Sequence, residues 1–435
     1  MRHESLDEHW AYNCEDTVRT LECAEVETDM LAQMRLTQPN AAQQAMFYPV
    51  LDAMIRGVRI DLAARAKMAG TLLEELTTRE QYFLSILGHP LNPASPKQMK
   101  ALFYDDLRQK IIINRKTGQP TLDDDALETL GTREPILRPL LRRIAEYRSL
   151  GVFLATFVNA PLDSDGRMRC SYNICGTETY RLASRKNAFG TGTNLQNVPK
   201  GGDEEGLELP NIRNLFIPDP GYTFFDMDLK RADLYVVVWE ADDQELKHIL
   251  RSGIDVHMEN AKVVGMPRQE AKKWVHGTNY GGSPRTMAIN CGITVKQAEA
   301  MQKRWFEAHP GIHKWHQRTE ANLRSKHYVE NQFGYRRFYF DRVEALLPEA
   351  LAWIPQSTVA LTINKIWLKI FHEVKEAQVL LQVHDSIAGQ YPTRDGDRIL
   401  GAIKHTAGGI TIPYPDPLVI PVNIETSTKS WGDCA

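Results

Sequence analysis

Two stretches of this chain end an apolar strand pattern in a carboxylate, which restricts the fold more than any other feature. Phe224-Phe225 leads into Asp226-Met227-Asp228, and Val379-Leu-Leu-Gln-Val383 leads into His384-Asp385. A carboxylate at a buried strand tip loses hydration and must meet positive charge. Two such tips that converge form a cage for divalent cations, because Mg²⁺ binds through one or two carboxylates plus substrate phosphates. Two metals held there can activate an attacking hydroxyl and stabilise a leaving oxygen. Taken singly, each aspartate is also an ordinary strand-end turn residue. A cationic wall opposite the tips would decide between the two.

The stretch Arg268 to Gly281 offers that wall. It follows Pro267, which can start a helix but not sit inside one. Arg268, Lys272, His276 and Tyr280 recur every four residues, so they share one slowly drifting helix face. The row is roughly 18 Å long at 1.5 Å rise per residue. It can lay two cations on a polyphosphate, then a ring against a base or sugar, then a phenol. On spacing alone, a solvated basic face is the more economical account of such a row, since charge runs are usually solvated.

With 435 residues, two or three compact units are expected. The chain is 43% hydrophobic and 25% charged, with a net charge of −3. Those are values of an ordinary soluble globular protein, and nucleic-acid binding needs only a local basic surface. No apolar run is long enough to span a membrane. The polar N-terminus is no secretory signal. The six cysteines are scattered without a Cys-x-x-Cys pair, which implies a reducing, cytoplasmic compartment and no zinc or disulfide framework.

Along the chain, residues 1–40 read as a charged helix. A helix ends at Gly57 and a short strand follows, Val58 to Asp61. Residues 62–160 form a helical arm with long helices over Leu62–Leu87 and Glu134–Ala160; its Arg138, Arg142, Arg143 and Arg148 either touch phosphates or lie on a solvated surface. Strand signals peak at Gly221–Asp228, followed by a helix from Arg231 to Ala241. Residues 245–345 are helical. A helix over residues 349–375 is interrupted at Pro355, and a last strand covers Leu418–Val422.

Several ordered motifs then resemble family A DNA polymerases, the group of bacterial DNA polymerase I and its phage relatives. Thr177-x-Thr-Tyr-Arg181-Leu-Ala-Ser184 is similar to T-x-T-G-R-L-S-S, and Asn194-Leu-Gln-Asn-Val-Pro199 to N-L-Q-N-I-P. Asp228-Leu-Lys-Arg-Ala-Asp233-Leu resembles motif A, D-Y-S-Q-I-E-L. Arg268-x3-Lys272-x7-Tyr280-Gly281 resembles motif B, and Gln382-Val-His-Asp385 resembles motif C, Q-V-H-D-E. Ser95-Pro-Lys-Gln98 and Gln356 also fall in place. The resemblance runs over nearly the whole chain and implies an α+β right-hand polymerase fold with an antiparallel-sheet palm, helical fingers and a helical thumb. The implied division is an exonuclease remnant at 1–43, palm at 44–61, thumb at 62–160, palm at 161–244, fingers at 245–345 and palm again at 346–435.

The resemblance also implies roles. Asp228 and Asp385 would bind two Mg²⁺ ions, or Mn²⁺, with the Leu229 carbonyl as a further ligand. Arg268 and Lys272 would grip the triphosphate, Lys272 also protonating the departing pyrophosphate. His257, in Asp255-Val-His257, would lie near the phosphates, His276 near the incoming base and sugar, and Tyr280 near the templating position and Asp233. Arg181, Asn194, Gln196, Gln356 and His384 would contact DNA, sensing minor-groove acceptors common to all base pairs. The implied partners are primer-template DNA and dNTPs, with a separate exonuclease polypeptide or processivity factor as further candidates.

The departures carry their own expectations. Asp226 offers a rival register for motif A, but only Asp228 leaves an acidic residue, Asp233, five positions on. The family has Glu there to block the ribose 2′-hydroxyl, so the shorter Asp233 implies weaker exclusion of ribonucleotides. His276 stands for Phe or Tyr, Ser386 for the Glu of motif C, Tyr180 for a glycine, and Ala352 for a frequent Asn. Tyr12-x-x-x-Asp16 resembles the last motif of a 3′–5′ exonuclease whose other carboxylates have no room here, so this chain alone is not expected to proofread. Two other readings compete. A single-subunit RNA polymerase shares the two aspartates and the Arg–Lys–Tyr row, and a catalytically idle template-binding replisome protein would need no metal carboxylates.

Overall fold

The computed structural model describes residues 6–114, 116–204 and 207–434. The chain opens on helix α1 (Leu6–Gln33), none of whose residues is buried. Two short helices follow, and Val58–Ile60 then pairs with Arg167–Met168 and Phe216–Ile217 in a small antiparallel sheet. Helix α2 (Leu62–Leu87) begins where the Asp61 carboxylate accepts a hydrogen bond from the Ala64 amide at 2.9 Å, an N-cap that satisfies a free helix-end donor.

Helix α3 (Arg138–Val152) packs against α2. Together with the intervening segment they enclose a core of their own around Phe83, Phe103, Leu130 and Ile144. The single helix expected over Glu134–Ala160 is three pieces: a 3₁₀ turn at Pro135–Leu137, α3, and a π-helical turn at Phe153–Val158. The wider π turn lets Phe153, Leu154, Phe157 and Val158 all reach the main core. The arm's arginines are bonded within the arm, although Arg138, Arg142 and Arg143 remain exposed and only Arg148 is half-buried. Arg138 donates to the Gly131 carbonyl, Arg148 to those of Pro93 and Leu122, and Arg142 and Arg143 bond the buried Glu146, which also pairs with Arg79.

Strand β1 (Tyr222–Leu229) opens the second half of the chain. It is followed by helices α4 (Ala232–Ala241), α5 (Val256–Val264), α6 (Arg268–Asn279), α7 (Pro310–Lys326) and α8 (Val343–Glu373). Then come β2 (Gln378–Val383), β3 (Ser386–Pro392), α9 (Gly396–Gly408) and β4 (Val422–Ser427). The four strands form one antiparallel sheet in the order β2-β3-β1-β4. Phe224, Phe225, Met227, Ile387 and Ala388 are fully or almost fully buried in it.

Two elements differ from expectation for identifiable reasons. Helix α8 runs through both Pro348 and Pro355 without ending. Each internal proline costs about 3 kcal/mol. The helix buries Leu351, Trp353, Ile354, Val359, Leu361, Ile363, Ile366, Trp367 and Ile370, each contributing roughly 1.5–3 kcal/mol, so burial outweighs the two prolines. The last strand begins at Val422 rather than covering Leu418–Val422. Pro421 has no N–H for the ladder; its carbonyl instead accepts from the Lys230 amide at 2.8 Å, and Leu418 makes only an isolated bridge to Ile412. No described helix is long and apolar enough to cross a membrane, and the six cysteines are unpaired.

Candidate active site

The strand register brings the two carboxylates together. Asp228 pairs across the ladder with Ser386, the neighbour of Asp385, and the Leu229 amide donates to the Asp385 carbonyl at 3.2 Å. Asp385 occupies the two-residue turn that closes the hairpin of β2 and β3, behind His384 at φ 56°. Alternation along β1 places Asp226 and Asp228 on one face, but their surroundings differ. Asp226 lies deeper, accepts a hydrogen bond from Trp431 Nε1 at 2.8 Å and faces Arg213 at 3.6 Å. Asp228 sits nearer the tip and, among the described residues, has no ion pair.

Crowding at the strand tip, followed by repulsion from Asp385 and Asp226, pushes the Asp228 carboxyl up to about 6, with Lys200 opposing. Its side chain still reaches solvent, so crowding and repulsion act here without full enclosure. Two like charges at adjoining strand ends, without a basic partner, suit a bound cation. No group of three His, Cys, Asp or Glu among the described residues forms a closed metal cage. The donor set is therefore two carboxylates and main-chain oxygen, which fits a hard, oxygen-ligated ion that takes its remaining ligands from water and phosphate.

Helix α6 stands across a cleft of about 550 Å³ whose walls include Arg231, Asp233, His257, Asn260, Lys272, His276, Tyr280 and Asp385. Its inner face, Ala271, Trp274, Val275, Thr278 and Asn279, is buried, which turns Lys272 and His276 outward. The helix ends at Asn279, so Tyr280 is its C-cap rather than its last turn. Gly281 adopts φ 75°; its amide bonds the Thr278 carbonyl, and the Gly282 amide bonds that of Gly277. This pair of reversed bonds is a Schellman cap, which calls for a left-handed residue at Gly281. It fixes Tyr280 against His276, with ring centroids 4.5 Å apart at 73°.

Arg268, first in the row, bonds Asp255 through Nε at 2.8 Å and is not among the residues lining the cleft. Asp255 also caps α5 through the His257 amide. Burial, then the charges of Lys272, Arg231 and Arg268, hold the His257 imidazole below its ordinary value, so it is neutral at pH 7. Burial also raises the Asp233 carboxyl, opposed by Arg181 and His276. Burial and Asp233 raise the Tyr280 phenol. Asp233 and Tyr280 lie close enough to influence each other, yet among the described residues neither Asp233 Oδ1 nor the Tyr280 hydroxyl makes a hydrogen bond of good geometry; nor do Asn260 Oδ1 and Arg181 Nε.

Behind this cleft lies a satisfied polar network. Gln382, fully buried, receives a hydrogen bond from Gln196 Nε2 at 3.3 Å and donates to Asn364 Oδ1 at 3.2 Å. Its main chain exchanges two bonds with the Tyr172 hydroxyl, and Gln196 also bonds the Leu182 carbonyl. Gln196 is thus packed into the scaffold, and the Asn194 side chain caps the short turn Leu195–Asn197. Neither amide is turned toward the cleft. His384 is exposed and Gln356 half-buried. Tyr180, where the resemblance calls for glycine, keeps the left-handed backbone at φ 60°; its ring packs on Tyr335 at 4.6 Å and on Trp353. Aromatic packing replaces the conformational freedom of glycine there.

Arg231, Asn260 and Lys200 were not foreseen from the sequence. Arg231 and Asn260 line the cleft and Lys200 acts on Asp228. A cation directly after a strand-tip carboxylate, as at Arg231, was the available signal; for Asn260 there was none.

Comparison with known proteins places this geometry. The family model for DNA polymerase family A matches residues 63–433. The thermostable DNA polymerase I of Thermus aquaticus is 28% identical over 402 residues, covering 86% of this chain and 46% of that protein. DNA polymerase I of Rhizobium leguminosarum is 26% identical, covering 98% of this chain and 44% of its own length. The chain thus spans about half the length of the curated relatives it matches. A structure described as the POL domain of Pol1 from M. smegmatis, in complex with DNA primer-template and dNTP, superposes with a TM-score of 0.82 at 22% identity, covering 95% of this chain and 74% of the other. That likeness establishes the α+β polymerase-domain fold, and with the family match over most of its length the chain belongs to DNA polymerase family A.

Proposed function

We propose that this chain adds deoxynucleotides to a primer 3′ end under the direction of a DNA template. One observation carries the reading: in a family A chain, two unpaired carboxylates, Asp228 and Asp385, adjoin at strand tips across a cleft from Lys272, His276 and Tyr280. Asp228, Asp385 and the Leu229 main chain would hold two divalent ions, which supply charge neutralisation and an activated primer hydroxyl. Lys272 binds the triphosphate and donates a proton to the departing pyrophosphate. His257 hydrogen-bonds the phosphates. His276 and Tyr280 form the edge on which the incoming base and sugar rest, and Asp233 stands where a ribose 2′-hydroxyl would enter.

In this reading the four-stranded sheet is the palm, residues 245–345 are the fingers and residues 62–160 the thumb. Arg181, Gln356 and His384 face the primer terminus. Arg268 leaves Asp255 for the triphosphate as the fingers close. Helix α1 carries Tyr12 and Asp16 on an entirely exposed surface. That exposure supports a partner polypeptide, an exonuclease or processivity factor, covering it.

Primer extension tests the reading. The chain should extend a primer with dNTPs in Mg²⁺, in template-dictated order, and use rNTPs less well. Asp385→Ala should abolish extension while primer-template binding persists. Preference for rNTPs would favour an RNA polymerase, and extension unaffected by Asp385→Ala would contradict the site.

A further inference from the structure

We infer that Arg231 is an additional triphosphate-binding residue, mounted on the sheet rather than on the opposing helix, and that it sets the affinity for the incoming triphosphate and for pyrophosphate. The inference rests on the polymerase reading and deepens it. In the family motif A the corresponding position is glutamine, so the charge is a property of this chain.

The placement carries the argument. Arg231 lines the cleft with Lys272, His257 and Asp385. It is exposed, and among the described residues it forms no ion pair or side-chain hydrogen bond. The carboxylates lining the same cleft, Asp233 and Asp385, are not ion-paired with it. Its cation acts on His257 together with Lys272 and Arg268, with the Asp255 carboxylate opposing; Asp255 is taken up by Arg268, which leaves Arg231 and Lys272 as the cations facing the cleft without an ion-pair partner among the described residues.

The local backbone makes this an unfavourable place for arginine unless something uses it. Arg231 sits at φ 51°, ψ 36°, a left-handed conformation, and makes no side-chain cap for α4. Glycine or asparagine takes that conformation at lower cost. A cation at a helix N-terminus also opposes the helix dipole. An anion in the cleft offsets the second objection, since the first turn of α4, Arg231 and Lys272 then act on it together.

A division of labour follows. Arg268 is held by Asp255 outside the lining of the cleft and reaches the phosphates only after a rearrangement. Arg231, one element beyond β1, stands beside the carboxylate tips without any such movement. It therefore contributes to initial capture of the triphosphate and to retention of pyrophosphate, more than to the chemical step.

The test compares wild type, Arg231→Gln, Arg231→Gly and Arg231→Lys in single-nucleotide incorporation, in inhibition by inorganic pyrophosphate, and in primer-template binding. One charge-assisted phosphate contact corresponds to about a tenfold change. R231Q should raise KM for dNTP and the pyrophosphate inhibition constant about tenfold, with kcat within about threefold and DNA affinity unchanged. R231G should match R231Q in KM while melting no lower than wild type, which separates the charge from the backbone. R231K should recover most of the loss. Unchanged KM and pyrophosphate inhibition in R231Q, or a loss confined to DNA affinity, would overturn the role of Arg231 with the polymerase reading intact. Failure of the wild type to incorporate any nucleotide would overturn the reading itself.

Discussion

Gln382 and Asp385 lie three residues apart in one motif, yet their environments are opposite. Gln382 is fully buried and bonded on every side, to Gln196, Asn364 and the Tyr172 hydroxyl. Asp385 stands beside another carboxylate and, among the described residues, forms no ion pair. The contrast extends outward: Gln196 and Asn194 bond their own main chain, whereas Asp233 Oδ1, Tyr280 Oη and Asn260 Oδ1 are buried without partners at the cleft. A buried polar atom left unsatisfied costs about 1–3 kcal/mol. Such atoms occur elsewhere too, at Trp315 Nε1 and Tyr339 Oη for example, so an orphan alone marks nothing. At the cleft they coincide with unpaired carboxylates and a cationic helix, which supports the proposal that this face is turned to ligand. In the proposed function, one motif thus mixes a residue that holds the scaffold with one that acts, and their hydrogen bonding tells them apart.

Substitutions on each side should break the comparison if it is wrong. The largest effect is expected from Asp228→Ala: a loss of incorporation on the order of 10³-fold with the melting temperature unchanged or raised. Gln382→Leu should do the reverse. Stranding Asn364 Oδ1 and removing one partner of Gln196 Nε2 should cost about 2–4 kcal/mol of stability, measured by denaturant unfolding, while turnover per folded molecule stays within about tenfold. Unfolding by Asp228→Ala, or lost turnover without lost stability in Gln382→Leu, would erase the division.

A smaller effect sharpens it through pH. The Asp228 carboxyl rises from 3.8 to about 6 on folding. Its contribution to stability is therefore fully present below pH 3.8 and is lost as pH rises through about 6. In metal-free protein, Asp228→Asn should melt roughly 1–2 °C above wild type at pH 7.5, a gap that closes by pH 4. Incorporation by the wild type should decline below pH 6 as Asp228 gains its proton, and added divalent cation should move that decline to lower pH. The smallest effect concerns sugar selection. Asp233→Glu should improve discrimination against ribonucleotides by about three- to tenfold, read from competing incorporation of dNTP and rNTP; equal discrimination would show that the missing methylene leaves no usable gap.

Much of this was legible because it rests on short-range patterns. Alternation in β1 and β2, the four-residue spacing of α6 and the glycines after Tyr280 each fix local geometry, and the carboxylate tips followed from apolar runs ending in Asp. What was not legible depends on contacts distant in sequence. Pro355 reads as a break, but the surrounding core carries α8 through it. Tyr180 keeps a glycine conformation only because Tyr335 and Trp353 receive its ring. Gln196 matches a DNA-contact motif, yet its amide is consumed by Leu182 and Gln382. Arg268 keeps its motif position while its side chain is bonded to Asp255.

The central claim is that Asp228 and Asp385 act as one cation site beneath Lys272. Titration calorimetry with Mn²⁺ tests it most directly, on a ternary complex of a dideoxy-terminated primer-template and dNTP. Wild type, Asp228→Asn, Asp385→Asn and the double variant should be compared. Each single change should weaken binding at least tenfold, and the double change should add little to either. Wild-type affinity in either single variant, or two losses that simply add, would show that the carboxylates serve separate purposes.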